Sequence, residues 1–149
     1  MTYDISLPLS PEWIREEERY EEVENAMITH LECHLPSAQE GKYDAFFDLY
    51  VGDLPSDTTA EDEAYANYAE IIGWDEEDEE EDPIAEWTFK NRKAYGFSGE
   101  CEDGSIMLLM CMEIVKGGLL ICTVIAPDDE AVGKWSKYLE ENLKVKAVK

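Results

Sequence analysis

The chain has 149 residues, of which 36 are Asp or Glu and 12 are Lys or Arg, so its formal net charge at pH 7 is −24. A charge of this sign repels nucleic-acid phosphates and anionic membrane surfaces, so we expect no nucleic-acid and no membrane partner, and expect a protein with a basic surface instead. An apolar fraction of 44% is enough for one hydrophobic core, which predicts a single domain over residues 1–149.

The N-terminal segment predicts a strand followed by a helix. Thr2 to Leu7 alternates apolar and polar residues, as a short half-buried strand does. Ser10-Pro11 is typical of a helix start, because serine caps the first turn and proline fits its first position. The glutamate-rich segment that follows places Trp13 and Tyr20 near one helical stripe, which predicts a helix to about Glu24.

Two further strands and a second helix are predicted in the next part of the chain. Met27 to Leu35 and Tyr43 to Val51 each alternate, and the loop between them contains proline, serine and glycine, so we expect a hairpin. Asp57 to Ile72 has the spacing of an amphipathic helix, and Thr58 followed by Glu61 is a capping-box pattern at its start.

An unbroken acidic run follows the second predicted helix and ends before Pro83. Eight like charges repel one another, so we predict a mobile loop over residues 75–82. The run lacks the glycine and the alternating spacing of an EF-hand loop, so it is interpreted either as a solvated loop without a ligand or as a contact for a basic partner. The candidate partner-binding residues are Asp75, Glu76, Glu77, Asp78, Glu79, Glu80, Glu81 and Asp82.

The second half of the chain is rich in strand patterns. Ala85 to Lys90 predicts a strand, and a turn at Asn91-Arg92 would place Trp87 opposite Gly96 on the next strand. From Ala94 to Ala126 three apolar runs are separated by Asp103-Gly104 and Gly117-Gly118. Both dipeptides are typical of tight turns, so this region predicts a three-stranded antiparallel meander.

The two most apolar runs determine the predicted fold class. Ile106 to Val115 and Leu119 to Ala126 are apolar at nearly every position, which indicates strands that are covered on both faces. A last helix is predicted after Pro127-Asp128, with an apolar stripe of Val132, Trp135, Leu139 and Leu143. We therefore predict an α+β fold: a single antiparallel β-sheet with helices packed on both faces, an α/β/α sandwich.

Several features of the chain resemble the PsbP-like superfamily. These are the opening strand that leads into Leu7-Pro8 and Trp13, and the later Ala94-Tyr95 and Gly99 that precede a long meander and a C-terminal helix. The resemblance implies an antiparallel sheet between helical layers and a protein that acts through protein contacts without enzymatic activity. It implies no functional residue.

His30, Glu32 and His34 form the candidate metal site. On a strand, residues at i, i+2 and i+4 share one face, so the three side chains point the same way. Asp44 and Asp48 on the next predicted strand are candidates to complete the ligand shell. The alternative interpretation is that these residues are the solvent-facing polar positions of a strand with one buried face.

Enzymatic activity is not predicted, because no nucleophile motif, phosphate loop or dinucleotide fingerprint is present in the sequence. The chain has four cysteines, Cys33, Cys101, Cys111 and Cys122. They show no metal-binding or redox spacing, and three of the four lie in apolar strand patterns. Reduced cysteines and the lack of a signal-peptide pattern lead us to expect a cytoplasmic protein, unless a signal segment has been removed.

Three functions are therefore left open by the sequence. The first is a non-enzymatic acidic binding or accessory protein that acts through protein–protein contacts, without a cofactor. The second is an immunity-type inhibitor or an escort of a basic protein, in which acidic residues steer association through long-range attraction. The third is a metal-binding protein or metal-dependent enzyme that uses the face formed by His30, Glu32 and His34.

Overall fold

The computed structural model describes residues 2–23, 26–37, 43–73 and 83–148. Within these ranges the chain forms nine strands and two helices. In chain order they are β1 Thr2–Ser6, β2 Ile14–Val23, β3 Ala26–Pro36, β4 Tyr43–Asp53, α1 Ala60–Ile71, β5 Ala85–Phe89, β6 Arg92–Glu100, β7 Ile106–Val115, β8 Gly118–Ala126, α2 Asp129–Asn142 and β9 Lys144–Val148.

Seven of the strands form one antiparallel sheet in the order β2-β3-β4-β8-β7-β6-β5. The predicted hairpin of β3 and β4 and the predicted meander of β6, β7 and β8 are both confirmed by their pairing. The two most apolar strands, β7 and β8, lie in the interior of the sheet, as their composition predicts. The first and last strands, β1 and β9, pair with each other in a separate two-stranded sheet.

The main hydrophobic core lies on one face of the seven-stranded sheet. Odd-numbered residues of β3 and β4 and even-numbered residues of β7 and β8 point into it, and it is covered by α2, by β1 and β9, and by the segment before β2. Trp13 stacks on Phe47 with ring centroids 4.9 Å apart, and Trp135 meets Trp13 edge-on at 5.1 Å. Thr29 donates a hydrogen bond to the carbonyl of Tyr3, which attaches β1 to the core.

The opposite face of the sheet has a smaller core beneath α1. Ala60 and Ala64 of the helix are buried against Phe97, Leu109 and Cys111 of β6 and β7. On β2, β3 and β4 the same face carries residues that are all partly or fully exposed, at even positions 16–22, 28–34 and 44–50. We call this surface the open half-face. Neither described helix has the length and apolar run that crossing a membrane requires.

The predicted α+β class with an α/β/α sandwich is wrong. The described chain is mostly β-strand, with two antiparallel sheets and two short helices. The apolar patterns of β7 and β8 indicated that both of their faces are covered by other elements. A second small sheet supplies part of this cover on one face, and on the other face α1 packs mainly on β6 and β7. The helical layers that the PsbP-like resemblance implies are therefore not observed either.

The largest local error is at β2, where the sequence predicted a helix. The segment pairs with β3 from Ile14 opposite His34 to Val23 opposite Ala26. Glutamate and arginine favour helix locally, but helix propensity is a weak preference that tertiary pairing overrides. As an outer strand, β2 carries charged residues that discourage pairing with a second chain.

One turn and one helix cap differ from their predicted positions. Lys90 and Asn91 both have positive φ, 52° and 65°, so the β5–β6 hairpin turns at this pair and not at Asn91-Arg92. Trp87 consequently lies opposite Ala94. The helix before Gly73 is confirmed, although its capping box uses Thr59 and Asp62.

Candidate functional site

The open half-face is strongly acidic. Its positions on β2, β3 and β4 contain no lysine and no arginine, and its six carboxylates are Glu16, Glu18, Glu22, Glu32, Asp44 and Asp48. Because successive strand residues point to opposite faces, this composition follows from the order of residues along each strand. The face combines these carboxylates with aromatic residues, namely Tyr20, His30, His34, Phe46 and Tyr50.

The two arginines of β2 occupy the other face of that strand. Arg15 donates a hydrogen bond to the carbonyl oxygen of Leu7 over 2.9 Å, and Arg19 forms an ion pair with Asp4 on β1. Both arginines therefore bind the N-terminal segment that packs on this side of β2. The carboxylates of the open half-face are left without a neighbouring arginine from their own strands.

His30 is held by three neighbouring side chains on the open half-face. Its ring is parallel to the ring of Tyr50, with centroids 4.0 Å apart and an interplanar angle of 1°. Its Nδ1 lies 3.1 Å from Glu18 Oε1, and its Nε2 contacts Asp48 Oδ1. Partial burial lowers the pKa of His30, but hydrogen bonds to Asp48 and Glu18 and their negative charges outweigh it, so the net direction is upward.

Strand register brings His30 together with two carboxylates. Glu32 on β3 is directly opposite Asp48 on β4, and His30 lies two residues away on the same face. One ligand atom from each of these three residues lies within 4.8 Å of the others. The predicted residues His30 and Glu32 are thus united with Asp48, which was a candidate from the partner strand.

His34, the third predicted ligand, is not part of this group. It is paired with Phe46, whereas His30 is paired with Tyr50. Four residues along a strand span about 13 Å, which is too far for two imidazoles to bind one ion. Asp44 is exposed and also lies outside the group.

A cleft of about 240 Å³ adjoins the open half-face where α1 approaches the sheet. Its floor is apolar and includes Ile28 and Ile121, and its rim carries the carboxylates of Glu22, Asp53 and Glu63. Burial raises the pKa of Glu63, and the charges of Asp62 and Glu22 act in the same direction. An acidic rim over an apolar floor fits a side chain with an aliphatic stem and a cationic head.

The buried cysteines take no part in this surface. Cys33 and Cys122 lie in the main core, and Cys111 lies beneath α1. Burial raises the pKa of the Cys33 thiol to about 11 and that of the Cys111 thiol to about 12, so both remain protonated and unreactive at neutral pH.

The acidic run from Asp75 to Asp82 lies outside the described residues, so its proposed partner contact has no structural description. The sequence had no signal for two neighbours of His30, Glu18 and Tyr50. Glu18 was assigned to a helix, and the Tyr50 contact depends on the register of β3 against β4.

No protein family and no curated protein matches the sequence. Among solved structures, the extracellular domain of PknH from Mycobacterium tuberculosis is similar over 95% of this chain and 81% of that chain. The two are 11% identical and superpose with a TM-score of 0.28, which is too low to support an argument about fold or function.

Proposed function

We propose that this protein is a non-enzymatic binding protein whose open half-face binds a basic segment of a protein partner. The observation that carries the proposal is the absence of lysine and arginine from the acidic open half-face of β2, β3 and β4. Six carboxylates lie on the open half-face, which has no lysine or arginine, while Arg15 and Arg19 of β2 bind to the opposite side. Complementary charge of this kind gives specificity and fast association.

The aromatic residues of the open half-face suit arginine in particular. Tyr20 is 38% exposed, and the stacked rings of His30 and Tyr50 lie beside it on the neighbouring strands. A guanidinium group stacks on aromatic rings and forms two parallel hydrogen bonds with a carboxylate. The cleft beneath Glu22 and Glu63 would accept a further lysine or arginine, with its aliphatic stem against Ile28.

An inhibitor of a basic enzyme and an escort of a basic protein are finer versions of the same function. Both would use the open half-face as the contact and the acidic run from Asp75 to Asp82 to attract the partner over a distance. Acidity that served solubility alone would not require both arginines of β2 to lie on the face opposite the open half-face.

The proposal is tested by mapping a basic peptide onto the protein by NMR. An arginine-containing peptide of about twelve residues is titrated into isotopically labelled protein, with a peptide of reversed charge as the ligand control. We expect amide shifts to concentrate on β2, β3 and β4 and affinity to fall as salt rises, because screening weakens charge pairing.

Two variants that remove the same number of charges separate this surface from general acidity. The surface variant is Glu16→Gln, Glu22→Gln and Asp44→Asn; the matched control carries exposed substitutions elsewhere, Glu102→Gln, Glu130→Gln and Glu141→Gln. We expect the first variant to bind the basic peptide at least tenfold more weakly and the control to bind within about threefold of wild type. Equal losses in both variants would contradict the proposed surface.

A further inference from the structure

The group of His30, Glu32 and Asp48 differs from the rest of the acidic surface in its chemistry and its geometry. It combines one imidazole with two carboxylates from directly paired strands, and the donor atoms converge within 4.8 Å. The side chain of His30 is only 13% exposed and that of Asp48 is 26% exposed, so neither is a freely moving surface group. Two adjacent strands of an extended sheet provide a rigid base for them.

The contacts of His30 place its Nε2 beside the Asp48 carboxylate. Tyr50 fixes the plane of the ring by stacking, and Glu18 on β2 lies within hydrogen-bond distance of Nδ1. With the Nδ1 proton donated to Glu18, an ion bound at Nε2 would take the place of the proton that Nε2 shares with Asp48. A carboxylate that holds the distal N–H of a histidine is the usual support of a metal-binding imidazole.

We infer that His30 Nε2 and the carboxylates of Glu32 and Asp48 bind one divalent cation of the Zn²⁺ or Mn²⁺ type. Imidazole nitrogen and carboxylate oxygen are both ligands of Zn²⁺ in proteins, and a site with such donors binds Zn²⁺ more tightly than Mn²⁺. The thiols of Cys33 and Cys122 point into the main core, so no soft sulfur ligand from them favours copper(I).

The spacing of the donors is compatible with one ion. Ligand atoms at about 2.0–2.2 Å from Zn²⁺ in a tetrahedral shell lie roughly 3.4 Å apart. Binding one ion requires His30 Nε2 and Asp48 Oδ1, which are now in direct contact, to separate to that distance. It also requires the Glu32 side chain, which is long and partly exposed, to rotate toward them. Glu16 and Glu18 line a recess of about 310 Å³ together with His30 and Glu32, which gives space for a water ligand on that side.

This inference goes beyond the proposed function, because it needs no partner. The two can therefore fail independently. Glu16, Glu22 and Asp44, which the surface variant removes, are not among the three inferred ligands. That variant should lose peptide affinity and still bind the ion.

The test is calorimetric titration of Zn²⁺ into metal-free full-length protein at fixed pH. We expect one ion per chain, and at least a tenfold loss of affinity in each of His30→Gln, Glu32→Gln and Asp48→Asn. His34→Gln is the matched control, because His34 lies on the same strand and face but outside the group; its affinity should stay within about threefold of wild type. Mn²⁺ is titrated as a second probe.

Three results would overturn the site. One is a wild-type titration without stoichiometric binding, and another is a loss in His34→Gln equal to that in His30→Gln. The third is an equal loss in the exposed control variant of Glu102, Glu130 and Glu141, which would indicate diffuse attraction of cations. Circular dichroism melts establish that each variant is folded. Because the three ligand variants are independent tests, the other two still test the site if one variant fails to fold.

Discussion

At the scale of single residues, the carboxylate of Glu63 lies at the boundary between surface and core. Glu63 lies in the first turn of α1, where the helix dipole favours a carboxylate. Burial at the cleft and the nearby charges of Asp62 and Glu22 nevertheless raise its pKa. The ionised side chain therefore destabilises the folded state, and burial outweighs the dipole.

Removing the charge of Glu63 should stabilise the protein at neutral pH. A carboxyl group whose pKa is raised by folding imposes no cost on the folded state while it is protonated, below its unfolded pKa. Its ionisation lowers the stability of the folded state as pH rises through the folded pKa. We expect Glu63→Gln to increase the free energy of unfolding at pH 7 by less than about 1 kcal/mol, and expect no difference from wild type near pH 3. Urea melts at both pH values measure this.

Glu61→Gln is the control for that experiment, because Glu61 is exposed in the same helical turn. We expect this variant to be unchanged or slightly less stable, since it loses a favourable interaction with the helix dipole. A Glu63→Gln protein that is less stable than wild type at pH 7 would show that the dipole term dominates.

The cysteines provide a second prediction at this scale. Burial raises the pKa of the Cys33, Cys111 and Cys122 thiols, whereas Cys101 is partly exposed between β6 and β7. We expect one thiol per chain to react quickly with a disulfide reagent at pH 8 and all four to react after denaturation. In Cys101→Ser the fast reaction should disappear. Rapid reaction of two or more thiols in the folded protein would contradict the assigned burial.

The candidate site was predictable in part, for reasons visible at single residues. Alternation along β3 placed His30 and Glu32 on one face, and the hairpin pattern placed Asp48 on the adjacent strand. What alternation does not give is distance along the strand, so His34 was included although it lies too far from His30. The support from Glu18 could not be predicted, because it depends on the register of a strand that the sequence presented as a helix.

At the scale of elements, close approach of strands controls what each position accepts. A Cβ added at Gly96 on β6 would lie 1.9 Å from the carbonyl oxygen of Leu109 and 3.0 Å from the Trp87 ring. Neither the backbone of β7 nor the packed indole can move aside without disturbing the sheet. Gly133 on α2 is the opposite case, because an added Cβ there meets nothing within 4 Å.

These two glycines should respond to alanine with opposite signs. We expect Gly96→Ala to lose about 3 kcal/mol, the upper end of overpacking costs, because the clash is with backbone. Gly133→Ala should gain roughly 0.5–1 kcal/mol, because alanine restricts the unfolded chain and favours helix. Urea denaturation of both variants measures the difference. A stable Gly96→Ala protein would show that β6 and β7 are less closely paired.

Elements with local signals were predicted well and those with distant partners were not. The apolar stripe of α2 and the turns of the meander each depend on residues that are close together in the sequence. Local sequence patterns therefore predict them. By contrast, β9 was overlooked because its partner is β1, at the other end of the chain. The error at β2 also follows from pairing, since local propensity there favours helix.

At the scale of the whole molecule, the charge is unevenly distributed. Lys90, Lys144 and Lys146 border a cleft of about 580 Å³ near β9, while the open half-face is acidic. The described charges placed in this way produce a directed field, in addition to the general repulsion that comes with a formal net charge of −24. A basic partner would be drawn to the acidic side before any contact forms.

The acidic run should contribute to the rate of association more than to the lifetime of a complex. We expect replacement of Asp75 to Asp82 by Asn and Gln to slow association with the basic peptide and to leave its dissociation nearly unchanged. The effect should shrink as salt rises, because the Debye length falls from about 30 Å at 0.01 M to roughly 8 Å at 0.15 M. Stopped-flow kinetics measures both rates, and an association rate that does not vary with salt would contradict steering.

The pairing of β1 with β9 gives the chain the topology of a nearly closed ring. Thr2 lies directly opposite Val148, so a linker of a few residues would join positions 2 and 148 without disturbing either strand. A circular permutant opened at the exposed turn around Gly104 would preserve every strand pair of both sheets. By the same geometry, the unit could be grafted into a surface loop of a host protein whose flanking residues are close together.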